Sequence, residues 1–185
     1  MRKFLLVLLL TLPCLADTSW NVQLQLVRLN PGTKLDYLME PAQWQQQLKS
    51  GELLEQASTV TAEKEVSLFL GRKCPITYFD PRAGLSQVQY VDVGTKGQFS
   101  FTPLDDGRVQ LDCSVEKSAF YDLKLPLPTM DVFRAYSTLL VKSGQVGIAA
   151  VSRGGVGVAY LKEIYPGRTF SDKDVFVWAV SARRL

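Results

Sequence analysis

Histidine is absent from this 185-residue sequence. That removes the commonest general base and metal ligand, and with it any Ser-His-Asp or Cys-His arrangement within the chain. Cysteine is scarce, with three in all, at positions 14, 74 and 113. Two or three thiols without histidine do not make a zinc site of the usual four ligands. Charge of one sign is not in excess: 21 basic residues stand against 18 acidic. A nucleic-acid or acidic-membrane partner is therefore not suggested. Long apolar runs are missing after the first residues, so no later segment reads as a membrane helix. Glycine-rich phosphate loops are missing too. Gly154-Gly155-Val156-Gly157 lacks the Lys-Ser/Thr of a P-loop and reads as a bend or bulge in a sheet. Neither a cofactor nor a bound metal is expected.

Carboxylate pairs exist, but in ordinary settings. Asp105-Asp106 precedes Gly107, which is turn chemistry. Glu52 with Glu55, and Glu63 with Glu65, read as solvated charges. Nothing in the spacing supports a glycosidase pair. The chain is not expected to be an enzyme.

What is present begins with an address. Met1-Arg2-Lys3 is basic, residues 4–12 are apolar, and Cys14-Leu15-Ala16 offers small residues at cleavage positions. We expect a signal peptide over residues 1–16 and a single mature domain over 17–185. The apolar run falls short of the roughly 20 residues a spanning helix needs. Pro13 before Cys14 makes a poor lipidation site. Export would leave Cys74 and Cys113. Both lie in expected strands, and they read either as a disulfide or as two buried, unpaired thiols.

Alternation dominates the mature chain. Trp20, Val22, Leu24 and Leu26 alternate with Asn21, Gln23 and Gln25, giving a strand with one face in a core. A helix is expected from Glu40-Pro41 to Gly51, with Trp44 and Leu48 four apart on one face. Strands follow over residues 53–62, 65–70, 74–79 and 87–93, with Gly71-Arg72-Lys73 leading into the third. The stretch 88–115 reads as strand, break, strand, tight turn, strand. Phe99 and Phe101 share one face of its middle strand, and Val109, Leu111, Cys113 and Val115 one face of its last. Residues 125–128, Leu-Pro-Leu-Pro, read as an extended linker. Three more strands are expected over 133–141, 145–152 and 174–181, the first two joined by the Lys142-Ser143-Gly144 turn. Many short strands and one short helix make a mainly β domain.

The most specific segments are Tyr90-Val91-Asp92-Val93-Gly94, then Thr102-Pro103, then Asp106-Gly107-Arg108-Val109-Gln110-Leu111. Around them stand an opening strand at residues 22–27, a glycine turn at 71–75 and a hairpin strand at 138–145. In this order they resemble the core β-domain of the bacterial secretins. These are the outer-membrane channels of type II and type III secretion and of type IV pili. Where that family often has a glycine pair after the hairpin turn, this chain has Ala150-Val151. The resemblance implies a secretin-like β-hairpin sheet domain, at the outer membrane or in the periplasm. Its partners would be further copies of itself or other secretion-system components. Gly94, Pro103, Gly107 and Gly144 would then shape turns, and Phe99, Phe101, Val109 and Leu111 would form the sheet wall. The alternative is a monomeric periplasmic or surface binding module that keeps this core without forming a channel.

Overall fold

The computed structural model describes residues 19–31, 33, 40–82, 84–120, 129–153, 165, 167–171 and 173–185. Among these residues, eight strands and one helix run in the order β1 (Trp20–Leu29), α1 (Pro41–Ser50), β2 (Glu52–Thr61), β3 (Glu65–Asp80), β4 (Leu85–Pro103), β5 (Arg108–Phe120), β6 (Met130–Lys142), β7 (Val146–Arg153) and β8 (Val175–Arg184). They form two four-stranded sheets, ordered β2-β1-β8-β7 and β3-β4-β5-β6. Every pairing is antiparallel. We call the first the short sheet and the second the long sheet.

The core lies between them. Alternate residues of β1 (Trp20, Val22, Leu24, Leu26) meet Phe99, Phe101, Val109, Leu111 and Val115 of the long sheet. The period-two alternation read in the sequence is what sends these sets inward. β8 differs, because nearly all of it is buried. Phe176, Trp178 and Val180 face the long sheet, while Val175 and Val177 pack under Trp44 of α1 on the far side. A strand covered on both faces reads as a continuous apolar run rather than an alternation. The helix is closed at its start by a capping box between Glu40 and Gln43, with Pro41 in the first turn. Gly51 stops it, its N–H returning to the Gln47 and Leu48 carbonyls.

Two expected breaks are absent. Residues 65–70 and 74–79 belong to one strand of 16 residues, β3, and residues 85–103 to one of 19, β4. Gly71 and Gly94 sit opposite one another in this ladder. A Cβ on Gly71 would lie 2.2 Å from the Val93 carbonyl oxygen, and one on Gly94 2.2 Å from that of Leu70. These glycines therefore allow two backbones to approach and do not turn the chain. Gly94, expected in a turn, is a strand residue with φ of 145°. Gly107 and Gly144 do lie in turns, each with φ of 79°. Pro103 ends β4.

Cys74 and Cys113 are both free and buried. Cys74 pairs with Val91, whereas Cys113 pairs with Phe99. Eight residues of β4 separate those partners, about 26 Å at a strand's rise per residue. Disulfide geometry needs Cα atoms within about 7 Å. The bridge considered from the sequence is therefore not made in this fold, and the thiols serve as small apolar side chains. The signal peptide expected over 1–16, the linker expected at 125–128 and the bend expected at Gly154-Gly155-Val156-Gly157 lie outside the described residues.

Candidate functional site

The long sheet carries the distinguishing features, and its register defines them. Residues directly opposite in antiparallel strands point to the same side. On the inner side lie Phe99, Phe101, Val109 and Leu111, all buried against the short sheet. The expected wall residues are thus the contact between two layers. On the outer side the residues form transverse rows. One row is Ser67, Gln98, Ser114 and Tyr136, and the next is Glu65, Ser100, Asp112 and Thr138. A third holds Phe69, Lys96, Glu116 and Arg134, and Arg134 Nε donates to Glu116 Oε2 at 2.7 Å.

Above the line of Gly71, Gly94 and Ser118 the long sheet narrows. Residues 72–80 and 85–93 continue as a two-stranded ribbon, largely exposed on both faces. Phe79, Val88 and Tyr90 project from it into solvent on the outer face, and Tyr78 Oη donates to Gln87 Oε1 at 2.6 Å on the inner one. Ser118 fastens the line where the ribbon leaves the body: its hydroxyl accepts from the Gly94 N–H and lies within bonding range of the Asp92 carbonyl.

Just below that line sits a buried polar group that joins the two layers. Lys117 of β5 is 1 % exposed. Its Nζ donates to Glu55 Oε1 of β2 at 3.0 Å and to Thr95 Oγ1 of β4 at 2.9 Å. The Thr95 hydroxyl in turn donates to Glu55 Oε2 at 2.7 Å. Burial lowers the Lys117 pKa, and the Glu55 carboxylate opposes that shift. A bulge in the β1–β2 ladder after Leu26 lies beside Glu55. Tyr165 closes the site, donating its hydroxyl to the Leu54 carbonyl. Sequence reading passed over Lys117, Thr95 and Tyr165, and took Glu55 for a solvated charge; its side chain is instead 8 % exposed and held by Lys117 and Thr95. The signal was there for Lys117, which follows Val109, Leu111, Cys113 and Val115 on the inward positions of β5.

Asp106, considered as half of a carboxylate pair, fastens its turn. It accepts from the Arg108 backbone N–H at 3.0 Å and pairs with the Arg108 guanidinium at 2.6 Å. That hydrogen bond from the guanidinium holds the carboxyl below its usual value. Among the described residues no three of His, Cys, Asp or Glu cluster to hold a metal, and no helix is long and apolar enough to cross a membrane. The arrangement is suited to holding sheets together and presenting edges and faces to partners.

No protein-family model matches the chain, and no curated protein sequence matches it. Solved structures do. In the ETEC pilotin–secretin AspS–GspD complex, 91 % of this chain superposes on 50 % of the matched chain with a TM-score of 0.53 and 11 % identity. It is also similar to the InvG secretin domain β-barrel of the Salmonella SPI-1 injectisome, at TM-score 0.45 and 14 % identity, over 91 % of this chain and 61 % of that one. For the type II secretion system secretin GspD of E. coli K12 the values are 0.46, 15 %, 91 % and 48 %. The chain spans about half to three-fifths of the length of these secretin chains. Its fold is mainly β and secretin-like.

Proposed function

We propose that this chain is a structural, non-enzymatic element of a secretin-type channel, exported to the periplasm or outer membrane and assembled from many copies. The observation that carries this reading is the disposition of sheet edges. The short sheet ends in β2 and β7, and the long sheet in β3 and β6. Because β2 runs directly into β3, and β6 into β7, the four edges lie on two shared flanks. Among the described residues each sheet has four antiparallel strands, so its two edges run in opposite directions. The β6 edge of one copy can therefore pair antiparallel with the β3 edge of the next, and β7 with β2 likewise. Such pairing hides backbone groups that a lone sheet leaves open, and repetition closes a barrel. Partners are then further copies of the chain, with other secretion-system components such as a pilotin bound from outside.

The test is the native mass of the purified mature protein by light scattering, with and without detergent. A uniform species of many subunits supports the channel reading. A monomer in both conditions overturns it and favours a monomeric binding module on the same core. The polar outer face of the long sheet is the feature that supports this second reading.

A further inference from the structure

The outer face of the long sheet is hollowed into an open trough of about 840 Å³. Its origin is side-chain size. In the two rows named above, Ser67, Ser100 and Ser114 are short, and they lie among the longer Glu65, Gln98, Asp112 and Tyr136. Four strands at the usual spacing make the trough about 14 Å across, and two rows make it about 7 Å deep along the strands. Tyr136 stands at its β6 side with 76 % of its surface exposed, more than any other large apolar or aromatic residue described. The Thr138 hydroxyl donates to Asp112 Oδ1 at 2.7 Å, and the Gln110 amide donates to both Asp112 oxygens at 3.4 and 3.2 Å. These bonds fix the carboxylate in place and leave it further capacity as an acceptor.

The lining restricts what can sit there. Glu63, Glu65 and Asp112 contribute three carboxylates, and no lysine or arginine lines the trough. Phosphate, nucleic acid and other polyanions are therefore repelled. The polar lining offers little to a lipid chain. A peptide strand needs an open sheet edge, whereas the floor here is β4 and β5, paired on both sides. What matches is a ligand with an apolar C–H face to lie on one aromatic ring, and a rim of hydroxyl groups to meet serine, threonine, amide and carboxylate. Aromatic rings present a negative face and suit the weakly positive C–H groups of such a ligand.

We propose that this trough is a carbohydrate-binding site for an uncharged or amino-bearing oligosaccharide, with Tyr136 as the stacking platform and Gln98, Asp112 and Thr138 as hydrogen-bonding partners. The proposal does not depend on assembly, because the face is complete in a single copy, on the side away from the short sheet. Isothermal titration of the full mature chain with chitotetraose, its deacetylated glucosamine counterpart and oligogalacturonate of equal length tests it. Saturable binding of the first two, with the anionic oligosaccharide weaker, is expected. Tyr136→Ala should weaken binding roughly tenfold, the scale of one lost aromatic contact with its buried area. Asp112→Asn should weaken the glucosamine oligomer more than chitotetraose. Tyr90→Ala, which removes another exposed ring, from the ribbon, should leave all three titrations unchanged. Both rings are exposed, so the fold tolerates either change, as a circular dichroism spectrum will show. Absence of saturable binding to any uncharged or amino sugar overturns the proposal. So does binding that survives Tyr136→Ala or that depends on Tyr90.

Discussion

The body and the ribbon are built from the same two strands, yet they differ in almost every physical respect. Below the Gly71–Gly94–Ser118 line, β3 and β4 have the short sheet behind them, and Thr95, Phe99 and Phe101 are buried. Above it the same ladder continues without a register slip, while Phe79 is 63 % and Tyr90 67 % exposed. Strand pairing therefore does not require a core once it has been started by one. A two-stranded ribbon alone is at best marginal in water, so the ribbon draws its order from the body beneath it. The difference also separates stability from contact: the body holds the fold, and the ribbon offers surface.

The sharpest way to test this division is to remove a side chain that the body cannot replace. Trp178 is buried between the sheets and stacks on Phe133, ring centroids 5.1 Å apart. Trp178→Ala should cost about 3–5 kcal/mol in chemical denaturation. A loss below about 1 kcal/mol would show that the two layers are not mutually dependent.

The Lys117 group asks a different question of the same interface. Lys117→Ala strands the Glu55 carboxylate in a buried site and should cost about 3–5 kcal/mol. The double variant Lys117→Met with Glu55→Leu should recover most of that loss, because apolar pairs often replace buried ion pairs without penalty. If the double variant is as unstable as the single one, the ion pair contributes stability of its own rather than fixing how the sheets sit. At the boundary itself, Gly94→Ala meets the Leu70 carbonyl and an unfavourable φ together. We expect a loss of about 2–3 kcal/mol, with hydrogen exchange accelerating in the ribbon more than in the body.

How much of this was legible in the sequence follows from what each residue answers to. Alternation in residues 98–116 marked a buried and a wet face because the sheet has one of each. The helix was legible through Pro41, Trp44 and Gly51, all local signals. Gly71 and Gly94 were misread because close approach across a ladder and a turn call for the same residue. The Lys117–Glu55–Thr95 group was missed for a stronger reason: its members are 22 to 62 residues apart in the chain. The trough was equally hidden, since its two rows exist only once four strands are in register.

Alkaline pH sharpens the comparison within the body. Burial raises the Cys113 thiol from 9.0 to about 12. The unfolded chain loses this proton near 9.0 and the folded one only near 12, so the contribution is complete below 9.0 and is lost as pH rises through about 12. Lys117 acts in the opposite sense: its lowered folded value makes stability rise with pH toward 10.5. Comparing wild type with Cys113→Ala isolates the thiol. The variant should lose less stability between pH 9 and 11, and identical slopes would show that Cys113 is not protected by burial.

The smallest expected effect is the most informative about the ribbon. Phe79→Ser with Tyr90→Ser removes two rings that touch solvent and should change denaturation midpoints by no more than about 0.5 kcal/mol. Large exposed apolar patches on otherwise ordinary proteins mark surfaces of association. If copies meet through the β3 flank, the same substitutions should lower the fraction of assembled protein in light scattering while the monomer stays folded. An unchanged assembly would confine the copy-to-copy contacts to the body. A fall in monomer stability above 1 kcal/mol would mean that the rings fold back onto the core in solution, and the ribbon would then belong to the body after all.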